Sequence, residues 1–137
     1  MKGMMTIAAG ALALAMGSAQ AQQPAGFWLT STSFKDGQMM DKKFANKNAP
    51  GAQNPNPNCV GENISPQLSW TGVPAGTKSF ALTMIDPEGR GGTGVHHMGI
   101  YGIPPDVTSF AEGEISQAGP KFVGGKSSQG VGWYSGP

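Results

Sequence analysis

Asp86 and the pair His96-His97 are the residues whose types and spacing first invite chemistry. A carboxylate beside an imidazole favours the protonated ring, which then donates charge-assisted hydrogen bonds to a phosphate or a carboxylate. Asp86 ends an apolar run and is followed by Pro87, which lacks an N–H; an acid in that position also serves simply to cap a turn. The two histidines are adjacent, so on a strand they face opposite ways and cannot share one metal ion. Cys59 is remote in sequence and no Cys/His cluster supplies further ligands, so neither a metal nor another cofactor is expected.

Gly89-Arg90-Gly91-Gly92-Thr93-Gly94 satisfies G-x-G-x-x-G. The dinucleotide reading needs a helix opening on those glycines, with its amides facing a pyrophosphate. A strand-like run follows instead, and no Lys-Ser/Thr completes a P-loop. What remains is a flexible loop whose amides and single arginine could help hold an anion. Ser65 and Ser69 lie close to Pro66, and neither sits in a G-x-S-x-G elbow. Nucleophilic catalysis needs a Ser or Cys with a base in reach, so the sequence gives an enzyme no support.

The elements that must position these residues are strands. The chain holds 22 Gly and 11 Pro, and long helical periodicity is absent beyond its first residues, which argues for short strands between turns. Residues 25–34 read as a first strand with Phe27 and Leu29 on one face. Residues 46–58, rich in Asn and Pro, read as a loop. The cleanest strand is 79–85, where Phe80, Leu82 and Met84 alternate with Ser79, Ala81, Thr83 and Ile85. A second runs from about Val95 to Ile103. If the two are neighbours, the loop between them returns Asp86 and one histidine to the same end of the sheet. From Gly113 onward the chain is Gly/Ser-rich and weakly patterned.

The first residues set the compartment. Lys2, the apolar run Met4 to Met16 and the small-x-small triplet Ala19-Gln20-Ala21 form a secretory signal peptide, residues 1–21, with cleavage before Gln22. That apolar run is too short to span a bilayer, and no later segment has the composition of a transmembrane helix. The expectation is one periplasmic or secreted domain, residues 22–137, with a modest core. Without Lys2, the nine Lys and Arg fall to eight against eight Asp and Glu, so bulk charge steers the domain toward neither nucleic acid nor an anionic surface. Any anion site must be local. Cys59, the single cysteine, fits a buried inert thiol, a partner on another chain, or a partner missing from this sequence.

Three stretches together are more specific than composition. They are Cys59-Val60-Gly61-Glu62-Asn63-Ile64-Ser65-Pro66-Gln67-Leu68-Ser69-Trp70, the run from Val73 to Pro87, and Gly94-Val95-His96-His97-Met98, continued by Ile103-Pro104 and Glu112-Gly113. From Phe27 onward the chain resembles the phosphatidylethanolamine-binding protein family, in its bacterial Raf-kinase-inhibitor-like branch. The resemblance implies an all-β fold, a sandwich of antiparallel sheets with a small pocket at one end for phosphate-like anions. Members bind phospholipid head groups or inhibit kinases or proteases, and no turnover defines them. Carried over by position, Asp86 with Pro87 and His97 match the pocket's acid segment and histidine, and Gly136 and Pro137 match the start of its Gly-Pro segment.

This sequence departs from the family at the site. The usual D-P-D-A-P is here Asp86-Pro87-Glu88-Gly89-Arg90, which implies a looser and more cationic wall. The family continues past Gly-Pro with a second pocket histidine, further strands and commonly a cysteine, so the domain is expected to be C-terminally incomplete and Cys59 to have lost a disulfide partner. The expected function is binding of a phosphate-bearing small molecule or phospholipid head group. The alternatives are a protein target, a protease or kinase inhibited through the exposed loop 87–95, and a hydrolase dependent on His97.

Overall fold

The structure, a computed structural model, describes residues 26–137; the expected signal peptide lies outside the described residues. Six strands form two three-stranded antiparallel sheets: β1 (Trp28–Thr30), β2 (Leu68–Thr71) and β5 (Ser109–Phe110) in the order β1-β2-β5, and β3 (Phe80–Asp86), β4 (Val95–Ile103) and β6 (Val123–Gly124) in the order β3-β4-β6. The only helical pieces among the described residues are a 3-10 turn at Lys42–Phe44 and a single turn, α1 (Gly89–Gly92). No helix of the described residues is long and apolar enough to cross a membrane.

The inward faces of both sheets meet in one core. Leu68, Trp70 and Phe110 come from the first sheet, Met98, Ile100 and Ile103 from the second, with Ile115 and Tyr134 supplied by loops. Four aromatic rings tie the layers together: Trp70 meets Phe80 edge-on at 5.5 Å and Phe110 at 5.8 Å, and Phe110 meets Phe122 edge-on at 6.0 Å, arrangements that the ring quadrupoles favour. Ser65 is fully buried and stitches a loop rather than serving as a nucleophile. Its Oγ accepts from Ile115 N, its carbonyl from Gly113 N, and its own amide donates to Ser116 Oγ.

The β3–β4 pair is the frame of the molecule and matches the two strands expected from sequence to within one residue. The first strand is shorter than expected, three residues instead of ten, because Ser31, Thr32 and Ser33 turn their hydrogen bonds onto the backbone and side chain of Gln67 and onto each other. Phe27 and Leu29 do share a side: both line an apolar cavity with Trp70, Phe80 and Ile103, and Phe27 stacks on Phe80 at 5.9 Å.

Candidate functional site

The register of β3 against β4 explains how His97 becomes part of a site. Met84 pairs with Met98, but Ile85 pairs with His96 and Asp86 with Val95, so β4 carries one extra residue at His97. Such a β-bulge breaks strict alternation and re-aims a side chain. His97 and Met98 are accordingly both buried in sequence, at 5% and 1% exposure, while His96 is exposed. The expected opposition of the two imidazoles is present, and the bulge decides which one turns inward.

His97 is oriented by the C-terminal segment. Its carbonyl accepts from Ser135 N at 3.1 Å, and its Nδ1 lies 2.9 Å from Ser135 O. A carbonyl only accepts, so Nδ1 carries the hydrogen and Nε2 is the ring nitrogen left for other partners. The segment is itself pinned on several sides. Tyr134 Oη donates to Phe44 O at 2.7 Å, Asn46 Nδ2 to Ser135 Oγ, Gly136 N to Asn63 Oδ1, and Asn46 N to Pro137 O. Asn63 holds a left-handed φ of 58°, a conformation asparagine tolerates, and from there its side chain reaches Gly136.

Asp86 sits at the end of β3, half-buried. Its Oδ1 accepts from Glu88 N at 2.9 Å, the turn-capping role open to any acid before a loop. Gly89 follows so closely that a Cβ there would lie 2.8 Å from Asp86 Oδ2 and 2.5 Å from Val95 Cγ2. The loop then turns through Arg90 and Gly91, both left-handed at φ 54° and 68°, and enters β4 with no helix behind the glycines. That geometry offers no N-terminus for a pyrophosphate.

One cavity of about 260 Å³ gathers these pieces. Asp86, His97, Gly136 and Pro137 all line it, so four of the five residues chosen from sequence come together. Pro87 does not; it is exposed and ends the strand. Asp86 and His97 face the same space without bonding each other: the carboxylate bonds Glu88 N and the imidazole Ser135 O. The direct carboxylate–imidazole pair anticipated from spacing is therefore absent, because the bulge turns His97 toward the C-terminal segment.

Of the remaining lining, the arginine of the glycine loop was expected to help hold an anion, and the other residues were not picked out from sequence as site residues. Arg90 lines the cavity and is exposed, its Nη2 donating to Ser128 O at 3.4 Å. Asn46, Asn56, Asn58, Cys59, Val95 and Gln129 complete the wall. The Asn/Pro loop 46–58 can form a wall because its asparagines fasten it: Asn48 Oδ1 accepts from Asn56 N, Asn48 Nδ2 donates to Asn56 O and Cys59 O, and Asn56 Oδ1 accepts from Asn58 N. The density of asparagine, the residue type that closes turns on its own backbone, was the sequence signal for this ordered loop. In chemical terms, the cavity offers a guanidinium, one imidazole nitrogen, several amides and one carboxylate.

Comparison with known proteins places the chain in a family. Residues 30–137 match the sequence profile of the phosphatidylethanolamine-binding protein family. The UPF0098 protein YbcL of Escherichia coli K12 is 38% identical over 86 residues, 63% of this chain and 43% of YbcL. A UPF0098 protein of Methanothermobacter thermautotrophicus is 43% identical over 82 residues, 58% of this chain and 53% of that protein. The crystal structure of E. coli YbcL, described as a new member of the mammalian PEBP family, superposes with a TM-score of 0.69 at 32% identity, covering 81% of this chain and 65% of that one. The chain thus spans about half the length of the curated relatives it matches. With a profile match over most of its length and antiparallel sheets in common with a solved relative, the chain belongs to the phosphatidylethanolamine-binding protein family.

Proposed function

We propose that the cavity between Asp86, Arg90 and His97 binds a small phosphate-bearing ligand, either a free phosphate ester or a phospholipid head group. The observation that carries this reading is the meeting of opposite charge types in one small space: Arg90 can donate to phosphate oxygens, His97 can do so through Nε2 only in its imidazolium form, and Asp86 can accept from an ammonium. Phosphoethanolamine has both groups. Turnover is not part of the reading, because no Ser or Thr lines the cavity and the thiol of Cys59 makes no hydrogen bond to His97 among the described residues. We read the protein as exported, on the strength of the pattern from Lys2 to Ala21.

Calorimetric titration of phosphoethanolamine and of inorganic phosphate against the wild type and Asp86→Asn tests the binding reading. Loss of the carboxylate should weaken phosphoethanolamine by about tenfold, the scale of one charge-assisted hydrogen bond, and leave inorganic phosphate no weaker. Equal heats for the two proteins with phosphoethanolamine would overturn the assignment of Asp86.

A further inference from the structure

We infer that Arg90 sets the charge of the ligand, making the cavity a site for a phosphomonoester dianion in preference to a phosphodiester. This rests on the reading of the cavity as an anion site and names the class of ester it takes.

The backbone gives the first reason. Arg90 is the one residue of Gly89–Gly92 that is not glycine, and it occupies a left-handed conformation, φ 54° and ψ 41°. A side chain there costs about 1 kcal/mol, and glycine would remove that cost. The position therefore maintains a strained arginine in a run otherwise suited to its backbone. Strain held at one side chain points to a use for that side chain.

The second reason is how the guanidinium is seated. Among the described residues its hydrogen-bond partner is Ser128 O, and Ser128 is fixed to the start of β4 by two bonds, Ser128 N to His96 O at 2.8 Å and His96 N to Ser128 Oγ at 2.9 Å. The turn behind it is closed by buried Ser127, whose Oγ accepts from Gln129 N and Val131 N. The glycine loop and the turn at Ser128, which supply Arg90 and Gln129 to the cavity wall, are thereby joined, and one of the five guanidinium N–H donors is enough to join them. The planar fork keeps its other donors for a ligand, in the geometry that suits two oxygens of one phosphate.

Charge then discriminates between esters. A monoester carries nearly two negative charges and three terminal oxygens; a diester carries one charge and two such oxygens. The attraction of Arg90 scales with the ligand's charge, so removing it costs the dianion about twice the free energy, which is the square of the fold-change. The cavity's 260 Å³ also suits a ligand below the usual size range for small-molecule sites.

The test is titration of methyl phosphate, dimethyl phosphate and phosphatidylethanolamine vesicles, at about pH 8 where the monoester is a dianion, against wild type, Arg90→Gly and Arg90→Lys. Wild type should bind methyl phosphate more tightly than dimethyl phosphate or the vesicles, both of which present diesters. Arg90→Gly should weaken methyl phosphate by about tenfold or more and dimethyl phosphate by about threefold. Arg90→Lys, which keeps the charge and loses the fork, should fall between. Because glycine relieves the backbone, the melting temperature of Arg90→Gly should be equal to or above that of the wild type, which separates a binding loss from unfolding. Wild-type binding left unchanged in Arg90→Gly, or lost equally for both esters, overturns this inference and leaves the anion site standing. Wild type that prefers the vesicles overturns it as well. Wild type that binds none of the three overturns both.

Discussion

Asp86 Oδ1 is occupied by the amide of Glu88, and Gly89 leaves space for Oδ2 that any Cβ would fill, so turn and site depend on the same carboxylate. The capping reading and the binding reading of this acid were alternatives in the sequence; in the structure Oδ1 takes the turn bond, so the proposed ligand contact falls to Oδ2. Gly136 is constrained in a similar way. A Cβ on it would lie 2.2 Å from Phe44 O and 2.7 Å from Ala45 C, both backbone atoms that cannot swing aside. Gly136→Ala should therefore destabilise the protein by about 1–3 kcal/mol, the range for forced overpacking, and lower the denaturation midpoint in a urea titration. An unchanged midpoint would mean that the C-terminal segment is not seated against residues 44–46. At this scale the sequence disclosed identities but not partners. Asp86, His97, Gly136 and Pro137 were found by position. Asn63 and Asn46 were not, because their roles depend on bonds to Gly136 and Ser135, more than 70 residues away.

Between strands, the decisive feature is the extra residue at His97. Alternation in 79–85 located β3, where the period of two survives in the burial pattern, and β4 was read as the strand-like run 95–103 that follows the glycine loop. The bulge did not show there, because a single inserted residue changes register without changing residue types. Its consequence is testable by comparing His96→Ala with His97→Ala. His96 is exposed and joins the turn at Ser128 through backbone atoms, so His96→Ala should shift stability by less than about 0.5 kcal/mol and leave phosphate binding intact. His97→Ala removes the bond to Ser135 O and the cavity nitrogen, and should cost about 1–3 kcal/mol together with phosphate binding. The reverse order, read from melting curves and titrations of the two variants, would show that the inward residue is misassigned. The 46–58 segment was legible as a loop, but not as a cavity wall: its order comes from asparagine side chains bonding backbone, which leaves no hydrophobic period to detect.

Across the whole molecule, the two sheets leave β3 with no partner on its outer side among the described residues, and its stretch Phe80 to Ile85 holds neither charge nor proline to guard that edge. Closure at the other end relies on the C-terminal segment, anchored by Tyr134. The ring is fully buried and its hydroxyl donates to Phe44 O, so burial pushes the phenol up to about 12 from its ordinary 10. The sign of the effect on stability follows. A raised folded-state pKa means that the unfolded chain releases the proton first. The contribution is thus complete below pH 10 and is lost as the pH rises from there through about 12. The loss is on the order of 2 kcal/mol for a shift of this size. Tyr134→Phe leaves the Phe44 carbonyl without its donor, so at neutral pH the variant should be less stable than the wild type by about 1–3 kcal/mol. It has no phenol to ionise, so its stability should fall less steeply above pH 10, and the gap between the two proteins should narrow. Urea unfolding at stepped pH reads that gap directly. A gap that stays constant up to pH 12 would show that the hydroxyl is not buried against Phe44, and that the segment carrying Ser135 and Gly136 to the cavity is held by some other contact.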